Sequence, residues 1–383
     1  MLASDFISTR AGTLLRTPQG YDAFLPHKLP PTLNLDWDLS RAMAAAERAL
    51  GHLAGIGSTL GNPHLLISPF VRKEAVLSSR IEGTQASLSD LFLFDAAGAA
   101  PPPDTSDVGE VASYVTALEM ALERAKDFPI SLRFLRDVHR VLMEQAPRAD
   151  DATPGEFRRS QNWIGRVGAR LDDAIYVPPP AGAMETALSD FELYLHEPPT
   201  FPFPVWLALI HYQFEAIHPF RDGNGRLGRL LLVVLMSVHG VLPQPLLYLS
   251  AFFEKHRTTY YERLLAVSQR GEWEEWIRFF LQAVEEQSND AVARSQRLHA
   301  LRDQYRAQMK SIRSSGLLLV TIDELFKSPA VSIPLLAQKL DVTYRSAQQI
   351  IEKLLAAKLV IEATGRQRNR IYYAPEIFRI VEA

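Results

Sequence analysis

The sequence predicts a mainly α-helical protein with one β-hairpin and a small C-terminal winged-helix domain. Three observations support this fold class. Apolar residues recur at helical spacing over most of the 383 residues. Two β-prone segments flank a turn with Gly and Asp at residues 162–177, which is a hairpin pattern. Residues 316–383 follow the order helix, turn, helix, hairpin, which is typical of a winged helix.

Two changes of composition divide the chain into three predicted regions. The segment 96–107, AAGAAPPPDTSD, contains small residues, three prolines and then helix-capping residues, as linkers do. The pattern changes again near residue 313. We therefore expect an N-terminal arm with a helical extension, a central helical domain and a winged-helix domain, covering residues 1–100, 101–312 and 313–383.

The helices follow from apolar spacing within these regions. The first 37 residues contain four prolines and show no helical period, so we expect an extended arm there. A helix is expected over residues 69–82, with Pro69 in its first turn and Gly83 as its C-terminal cap. The other predicted helices cover residues 38–56, 108–125, 132–145, 184–195, 205–216, 227–238, 332–340 and 343–358.

Composition also limits the class of protein. The formal net charge is -3, so no global excess of basic residues indicates nucleic-acid binding, although a local patch could bind it. The absence of cysteine excludes disulfides, thiolate catalysis and Cys-ligated zinc, and it fits a cytoplasmic location. The N-terminal residues lack a signal-peptide pattern. The longest apolar run, residues 230–238, is far shorter than the ~20 residues that cross a bilayer, so we expect no membrane helix.

The segment 217–232, IHPFRDGNGRLGRLLL, combines residues that suit phosphate chemistry. Three residues of a glycine-rich turn precede a predicted helix, whose N-terminal N–H groups and dipole favour an anion. Arg226 and Arg229 are three apart on one face of the first helical turn. Both guanidinium groups can therefore reach one polyphosphate.

The same segment offers a metal ligand and a base. Asp222 supplies a carboxylate oxygen for Mg²⁺, which bridges phosphates. His218 titrates near neutrality and can accept a proton. An anion cradle, a metal ligand and a base within one loop indicate phosphoryl or nucleotidyl transfer. The alternative is a capped turn between buried helices, with His218 at the surface and the arginines paired with carboxylates.

The segment HPFRDGNGRLGR, residues 218–229, resembles the Fic motif H-x-F-x-[DE]-G-N-G-R-x-x-R and matches it at every defined position. The flanking segments, HYQFEAIHPF and residues 247–267, resemble bacterial Fic proteins with an N-terminal helical extension and a C-terminal winged helix. The resemblance implies a Fic-type helical bundle with a β-hairpin flap. It also implies transfer of AMP from Mg²⁺-bound ATP to a Ser, Thr or Tyr hydroxyl of a protein, including the chain itself.

The resemblance gives each motif position a role. It implies that His218 deprotonates the target hydroxyl, that Phe220 anchors the loop in the core, and that Asp222 holds Mg²⁺. The nucleotide-binding residues that it implies are Gly223, Asn224, Gly225, Arg226 and Arg229. UMP transfer, phosphocholine transfer and phosphorylation are alternative Fic chemistries, but the intact motif favours AMP.

A second motif lies at the end of the predicted helix 69–82. Ser78 and Glu82 are four apart on one helical face, and Gly83 follows them. The segment SSRIEG resembles the Fic inhibitory pattern [ST]-x-x-x-E-[GN]. This implies that Glu82 pairs with Arg229, takes the place of the γ-phosphate and inhibits transfer. An ordinary helix end is the alternative. In some relatives this glutamate is thought to orient a water for AMP removal, so removal of AMP is an alternative activity of this site.

The predicted hairpin matches the position of the Fic flap. An exposed strand edge can hold an extended target segment by main-chain hydrogen bonds and present its hydroxyl to His218. The alternative is a surface hairpin without this role. The candidate docking residues are Ile164, Gly165, Ile175, Tyr176 and Val177.

The predicted winged helix suggests DNA binding as a rival or additional function. Residues 331–383 contain eight Lys or Arg against five acidic residues, and residues 365–370 are rich in arginine, which suits phosphate contacts. Winged helices also dock proteins. The candidate DNA contacts are Arg345, Arg366, Arg368 and Arg370. A homodimer is expected by analogy with the family.

Overall fold

The computed structural model describes residues 1–59, 64–98, 106–145, 153–166, 168, 170–242, 244–310, 316–365 and 368–382. Most of the predicted linker at 96–107 and the predicted boundary at residue 313 lie outside the described residues.

The described chain is mainly helical, as predicted, with small antiparallel sheets. The α-helices are α1 (Trp37–Thr59), α2 (His64–Ile81), α3 (Leu88–Ala97), α4 (Ser106–Arg124), α5 (Leu132–Leu142), α6 (Ala181–His196), α7 (Phe203–Ile217), α8 (Asn224–Val238), α9 (Ser250–Lys255), α10 (Arg257–Arg270), α11 (Trp273–Lys310), α12 (Gly316–Lys327), α13 (Ile333–Leu340), α14 (Tyr344–Ala356) and α15 (Pro375–Glu382). The strands are β1 (Gly12–Arg16), β2 (Asp22–Pro26), β3 (Ala330–Ser332), β4 (Ile361–Glu362) and β5 (Ile371–Tyr373). Short 3-10 helices cover Ala3–Asp5 and Leu171–Asp173.

Helices α7 and α8 form the centre of the molecule. Nearly every residue of both helices is buried, which agrees with the apolar run at residues 230–238. The 38-residue helix α11 packs against α1 and α7. The loop between α7 and α8 is therefore held by the main core, and it carries the candidate active site.

Helix α2 begins earlier than predicted. It starts at His64, so Pro69 lies inside the helix rather than in its first turn. A proline at this position removes one intrahelical hydrogen bond. Phe70 and Val71 beside it are buried, so packing maintains the helix across the proline. Gly83 follows the helix with φ +105°, a conformation that favours glycine, as the sequence predicts.

The N-terminal arm is not simply extended. Strands β1 and β2 form an antiparallel hairpin, in which Gly12 pairs with Pro26 and Arg16 with Asp22. Gly20 in the turn has φ +91°. Phe24 of β2 is buried, so the hairpin is tied to the core.

The prediction of a regular hairpin at residues 162–177 is wrong. Only a single bridge, between Ile164 and Tyr176, is present among the described residues of this segment. The 3-10 helix Leu171–Asp173 occupies the return of the turn. The last residue of the segment bonds to the N-terminal hairpin instead, since the backbone N–H of Phe24 donates to Val177 O at 2.8 Å.

The C-terminal region has the predicted order of two helices followed by two strands. Helices α13 and α14 lie within two residues of their predicted ends, and strands β4 and β5 follow them where the hairpin is expected. Strand β3 joins them in an antiparallel sheet of order β3-β5-β4. The winged-helix interpretation stays a prediction. In the part of the chain that the structure describes, no helix is both long and apolar enough to cross a membrane.

Candidate active site

His218 ends helix α7 in a left-handed conformation, with φ +49°. Its Nδ1 lies 3.3 Å from Glu215 O. A carbonyl oxygen only accepts, so Nδ1 carries the proton and donates to it. Nε2 is then the basic nitrogen, with a lone pair that can accept a proton from a substrate.

Electrostatics keep the His218 imidazole neutral. Burial and the nearby positive charge of Arg158 lower its pKa to about 4, against the opposing effects of Glu82 and Asp222. The group is therefore unprotonated at neutral pH, as a general base must be.

Asn224 stiffens the loop through its side chain. The backbone N–H of Phe220 donates to Asn224 Oδ1, and Asn224 Nδ2 donates to Phe220 O, both at 2.8 Å. Because the Asn224 side chain is buried in these bonds, only its main chain is left to contact a phosphate. Phe220 is fully buried, as an anchor of the loop should be.

His139 of α5 also supports the loop, and sequence reasoning missed it. Its ring stacks on Phe220, with centroids 3.8 Å apart and planes 12° apart. Nδ1 accepts the Gly155 N–H at 2.9 Å, so Nε2 carries the proton and donates to Asp222 O at 3.0 Å. Burial lowers the pKa of His139 to about 4, which keeps this arrangement of donors intact at neutral pH.

The glycines of the loop stand where side chains would clash. Gly223 caps α8 with φ +76°, and a Cβ there would lie 2.6 Å from Met143 Sδ. A Cβ at Gly225 would overlap Glu82 Oε1. The carboxylate of Glu82 therefore lies against Gly225 in the first turn of α8, where the helix favours an anion.

Arg229 is bound on two of its nitrogens by the end of α2. Its Nη2 donates to Glu82 Oε1 at 2.7 Å and to Ser78 O at 2.9 Å, and its Nε donates to Ser78 Oγ at 2.9 Å. Burial alone would raise the pKa of Glu82, but the Arg229 guanidinium lowers it below its usual value. Glu82 and Arg229 thus form the ion pair that the sequence pattern predicts.

Arg226 has a separate acidic partner that the sequence did not indicate. Its Nη1 donates to Glu110 Oε1 of α4, and Glu110 Oε2 accepts from Thr84 Oγ1 at 3.2 Å. Both predicted arginines are buried and come together at the start of α8. In this state each one contacts a carboxylate.

Asp222 is the predicted ligand of Mg²⁺. Its side chain is 63% exposed, and Oδ1 accepts the Gly223 N–H at 2.6 Å. The described residues contain no cluster of three or more metal-ligating side chains. A single accessible carboxylate still fits Mg²⁺, because this ion commonly binds through one or two carboxylates plus substrate phosphates and waters.

The predicted flap residues do not share one environment. Ile164, Gly165 and Ile175 are exposed. Tyr176 and Val177 are buried, and the Tyr176 hydroxyl donates to Ala216 O at 2.8 Å. Tyr176 and Val177 therefore belong to the core rather than to a docking surface, because their apolar surface is already covered.

The candidate DNA contacts belong to the C-terminal region. Arg345, Arg368 and Arg370 are exposed. Arg366 lies outside the described residues.

Two sequence models of one family match the chain. The model described as "Fic/DOC family N-terminal" matches residues 40–123, and that described as "Fic/DOC family" matches residues 129–236. Proteins named protein adenylyltransferase Fic are similar over part of the chain. The protein from Aedes aegypti is 32% identical over 170 residues, which is 44% of this chain and 30% of that protein. The protein from Drosophila grimshawi is 30% identical over 158 residues, 41% and 29% of the two chains. The match thus spans less than a third of these relatives.

Solved structures show the same fold. A Fic family protein from Desulfovibrio desulfuricans matches with a TM-score of 0.58 at 19% identity, covering 90% of this chain and 98% of that chain. Fic-1 from C. elegans matches with a TM-score of 0.54 at 22% identity, covering 67% and 74%.

Proposed function

The chain belongs to the Fic/DOC family, and we propose that it is a protein adenylyltransferase that moves AMP from ATP onto a protein hydroxyl. The loop 218–229 carries this proposal. It joins a neutral histidine with a basic Nε2 to a helix N-terminus flanked by two buried arginines. The names of the relatives from Aedes and Drosophila support the same chemistry.

The residues of the loop divide the reaction between them. His218 Nε2 accepts the proton of the target hydroxyl as its oxygen attacks the α-phosphorus, and pyrophosphate leaves. The main chain at Gly223–Gly225 and the guanidinium groups of Arg226 and Arg229 bind the phosphates. Asp222 would hold the Mg²⁺ that accompanies ATP and that offsets phosphate charge. The target hydroxyl belongs to Ser, Thr or Tyr of a partner or of the chain itself.

Glu82 acts in this proposal as an inhibitor. Its carboxylate lies against Gly225 and bonds Arg229 at 2.7 Å, so it competes with a phosphate for the same donors. Two like charges at one site repel strongly when partly desolvated. ATP therefore binds with its phosphates displaced from the orientation that His218 requires, until Glu82 moves away.

The Glu82→Gly variant tests the activity and the inhibition together. We expect this variant to gain the mass of AMP on incubation with Mg²⁺ and ATP, while the wild-type chain gains little. The reason is that loss of the Glu82 carboxylate leaves Arg229 free for the γ-phosphate. Intact mass spectrometry measures the gain, and its size also distinguishes AMP from UMP or phosphate when the other donors are offered.

The control is Glu82→Gly combined with His218→Ala, which should gain no mass because it lacks the base. An equal rate in wild type and Glu82→Gly would exclude the inhibitory role. If instead the wild-type chain removes AMP from a modified sample and Glu82→Gly does not, Glu82 serves the reverse reaction as well.

We propose DNA binding by the C-terminal region as a second function, and exposed polar residues on helix α14 and after strand β4 support it. Arg345, Gln348 and Gln349 are exposed together on α14, and Arg368 is exposed beyond β4. Arg and Gln are side chains that read base edges and phosphates. We expect binding of duplex DNA that weakens steeply with salt, measured by fluorescence anisotropy. Binding unchanged by Arg345→Ala with Arg368→Ala, or no binding at low salt, would refute it.

The expected homodimer is a separate proposal that rests on family analogy. Sedimentation velocity at several protein concentrations tests it directly.

A further inference from the structure

Arg158 is a buried cation directly behind the proposed catalytic base. It lies in the segment between α5 and α6 and is 2% exposed. Its Nε donates to His218 O at 2.9 Å, and its Nη2 also approaches Ile217 O at 3.4 Å. Its own backbone N–H donates to Pro219 O at 2.9 Å. One residue thus contacts three successive carbonyl groups of the active-site loop.

The rest of the guanidinium is also bound to main-chain oxygens. Nη2 donates to Pro179 O at 2.5 Å, and Nη1 donates to Ser160 O at 3.4 Å. No carboxylate within the described ranges forms an ion pair with Arg158. A charge is costly to bury, and here carbonyl dipoles rather than an acid offset that cost. The side chain of Arg158 therefore carries a buried charge whose hydrogen bonds go to main-chain oxygens.

The geometry of His218 needs this support. Its φ of +49° is uncommon for a residue with a side chain and costs free energy unless neighbours hold it. Nε and Nη2 of Arg158 act together as a fork of two donors, and the Nε arm fixes the His218 carbonyl. Asn162 Nδ2 adds a weaker contact to the same oxygen at 3.4 Å. With this peptide fixed, the imidazole has a defined direction towards the phosphate site.

The charges around His218 come from four elements. Glu215 of α7 has Oε2 4.0 Å from His218 Nδ1, Glu82 lies at the end of α2, and Asp222 lies in the loop. Burial raises the pKa of Glu215 to about 8, so this carboxyl group is mostly uncharged at neutral pH. Arg158 is the cation in this set, and it disfavours a second positive charge on the imidazole.

We propose that Arg158 is a positioning residue for the base: its fork holds His218 in place and its charge sets the field at the imidazole. The inference rests on the proposed AMP transfer with His218 as base.

Two substitutions separate the fork from the charge, each made in the Glu82→Gly chain. Arg158→Lys keeps the charge and loses the fork, whereas Arg158→Gln loses the charge. We expect Arg158→Lys to lower kcat by about 10- to 100-fold with little change in the KM for ATP. The acid limb of its profile of kcat against pH should not shift. We expect Arg158→Gln to lower kcat and also to move the acid limb to higher pH. The active form is the neutral imidazole, and without the cation it protonates at higher pH.

The control is Arg159→Gln, since Arg159 is the next residue and its side chain is 91% exposed. This variant should match the parent in kcat and pH profile. Thermal melting identifies any variant that has lost its fold. If Arg158→Gln does not fold, the kcat of Arg158→Lys still decides whether the Arg158 guanidinium positions His218.

A second measurement does not depend on activity. The His218 imidazole is titrated by NMR in the otherwise wild-type chain, with His218→Ala to assign its signal. Its midpoint should rise in Arg158→Gln and stay close to wild type in Arg158→Lys. If Glu82→Gly transfers no AMP, the proposed function fails while this titration still judges Arg158. An unmoved midpoint, or a kcat that neither substitution lowers, would overturn the inference.

Discussion

Among single residues, His139 illustrates how the motif depends on side chains outside it. The motif supplies Phe220 and Asp222, but His139 fixes both, by stacking on the ring and by donating to the carbonyl. Nothing in the sequence around His139 distinguishes it from a core histidine on an apolar helix face. Its role follows only from a contact across 83 positions of sequence.

A His139→Gln substitution should reveal the cost of keeping this ring neutral. The pKa of His139 is about 4 in the folded chain and about 6.5 when unfolded. Below pH 6.5 the unfolded state binds the extra proton, so this residue reduces stability progressively as the pH falls towards 4. Gln can accept from Gly155 and donate to Asp222 without titrating.

The variant should therefore be less stable than wild type at pH 7, where it loses the stack on Phe220. The difference in Tm should shrink between pH 7 and pH 5, because only the wild type loses the His139 contribution. Other titrating groups are common to both chains and cancel. A difference that stays constant or grows over this range would contradict the assignment of a neutral, buried His139.

At the scale of elements, local signals were predictable and long-range pairing was not. The loop 218–229 is contiguous, so its residue types can be read from the sequence. The helix after it begins at Asn224, three residues before the predicted start at 227, so part of the predicted turn is its first helical turn. The end of α2 at Gly83 follows from the positive φ that glycine accepts. The candidate site was therefore largely predictable in its contiguous part.

Pairing between distant segments explains the two errors in the β structure. The segment 162–177 has β-prone residues, but its exit bonds to Phe24 of the N-terminal hairpin instead of completing a hairpin of its own. The sequence predicts an extended arm because its prolines mask the strand pattern, but Pro18 lies in the turn and Pro26 ends a strand. Strand partners depend on tertiary packing more than on propensity. For the same reason Arg158 and Glu110 could not be assigned to the site from sequence.

At the scale of the whole molecule, the C-terminal region packs on the helix that carries Glu82 at its end. Helix α2 contacts both α12 and α15, and Lys73 Nζ donates to Glu382 O at 3.2 Å. Phe92 of α3 packs edge-on against Phe378, with ring centroids 5.9 Å apart. The proposed inhibitory residue therefore follows a helix that the C-terminal region packs against.

Arg294 of α11 is the residue on which this docking can be tested. It is 3% exposed, and its Nη1 donates to Ile380 O at 2.7 Å and to Val381 O at 2.8 Å, while Asp290 neutralises it. Arg294→Met keeps much of the volume and removes the donors, so two carbonyls at the end of α15 lose their partner. We expect a loss of about 2–4 kcal/mol in the free energy of unfolding.

Arg294→Met should lower the Tm and speed hydrogen exchange in residues 368–382. It should also raise AMP transfer by the chain that retains Glu82, though less than Glu82→Gly does, because α2 loses part of its support but keeps its bond to Arg229. The control is Arg297→Met on the exposed side of α11, which should change none of these. Faster exchange in α15 without any rise in AMP transfer would mean that the packing of the C-terminal region and the position of Glu82 are independent.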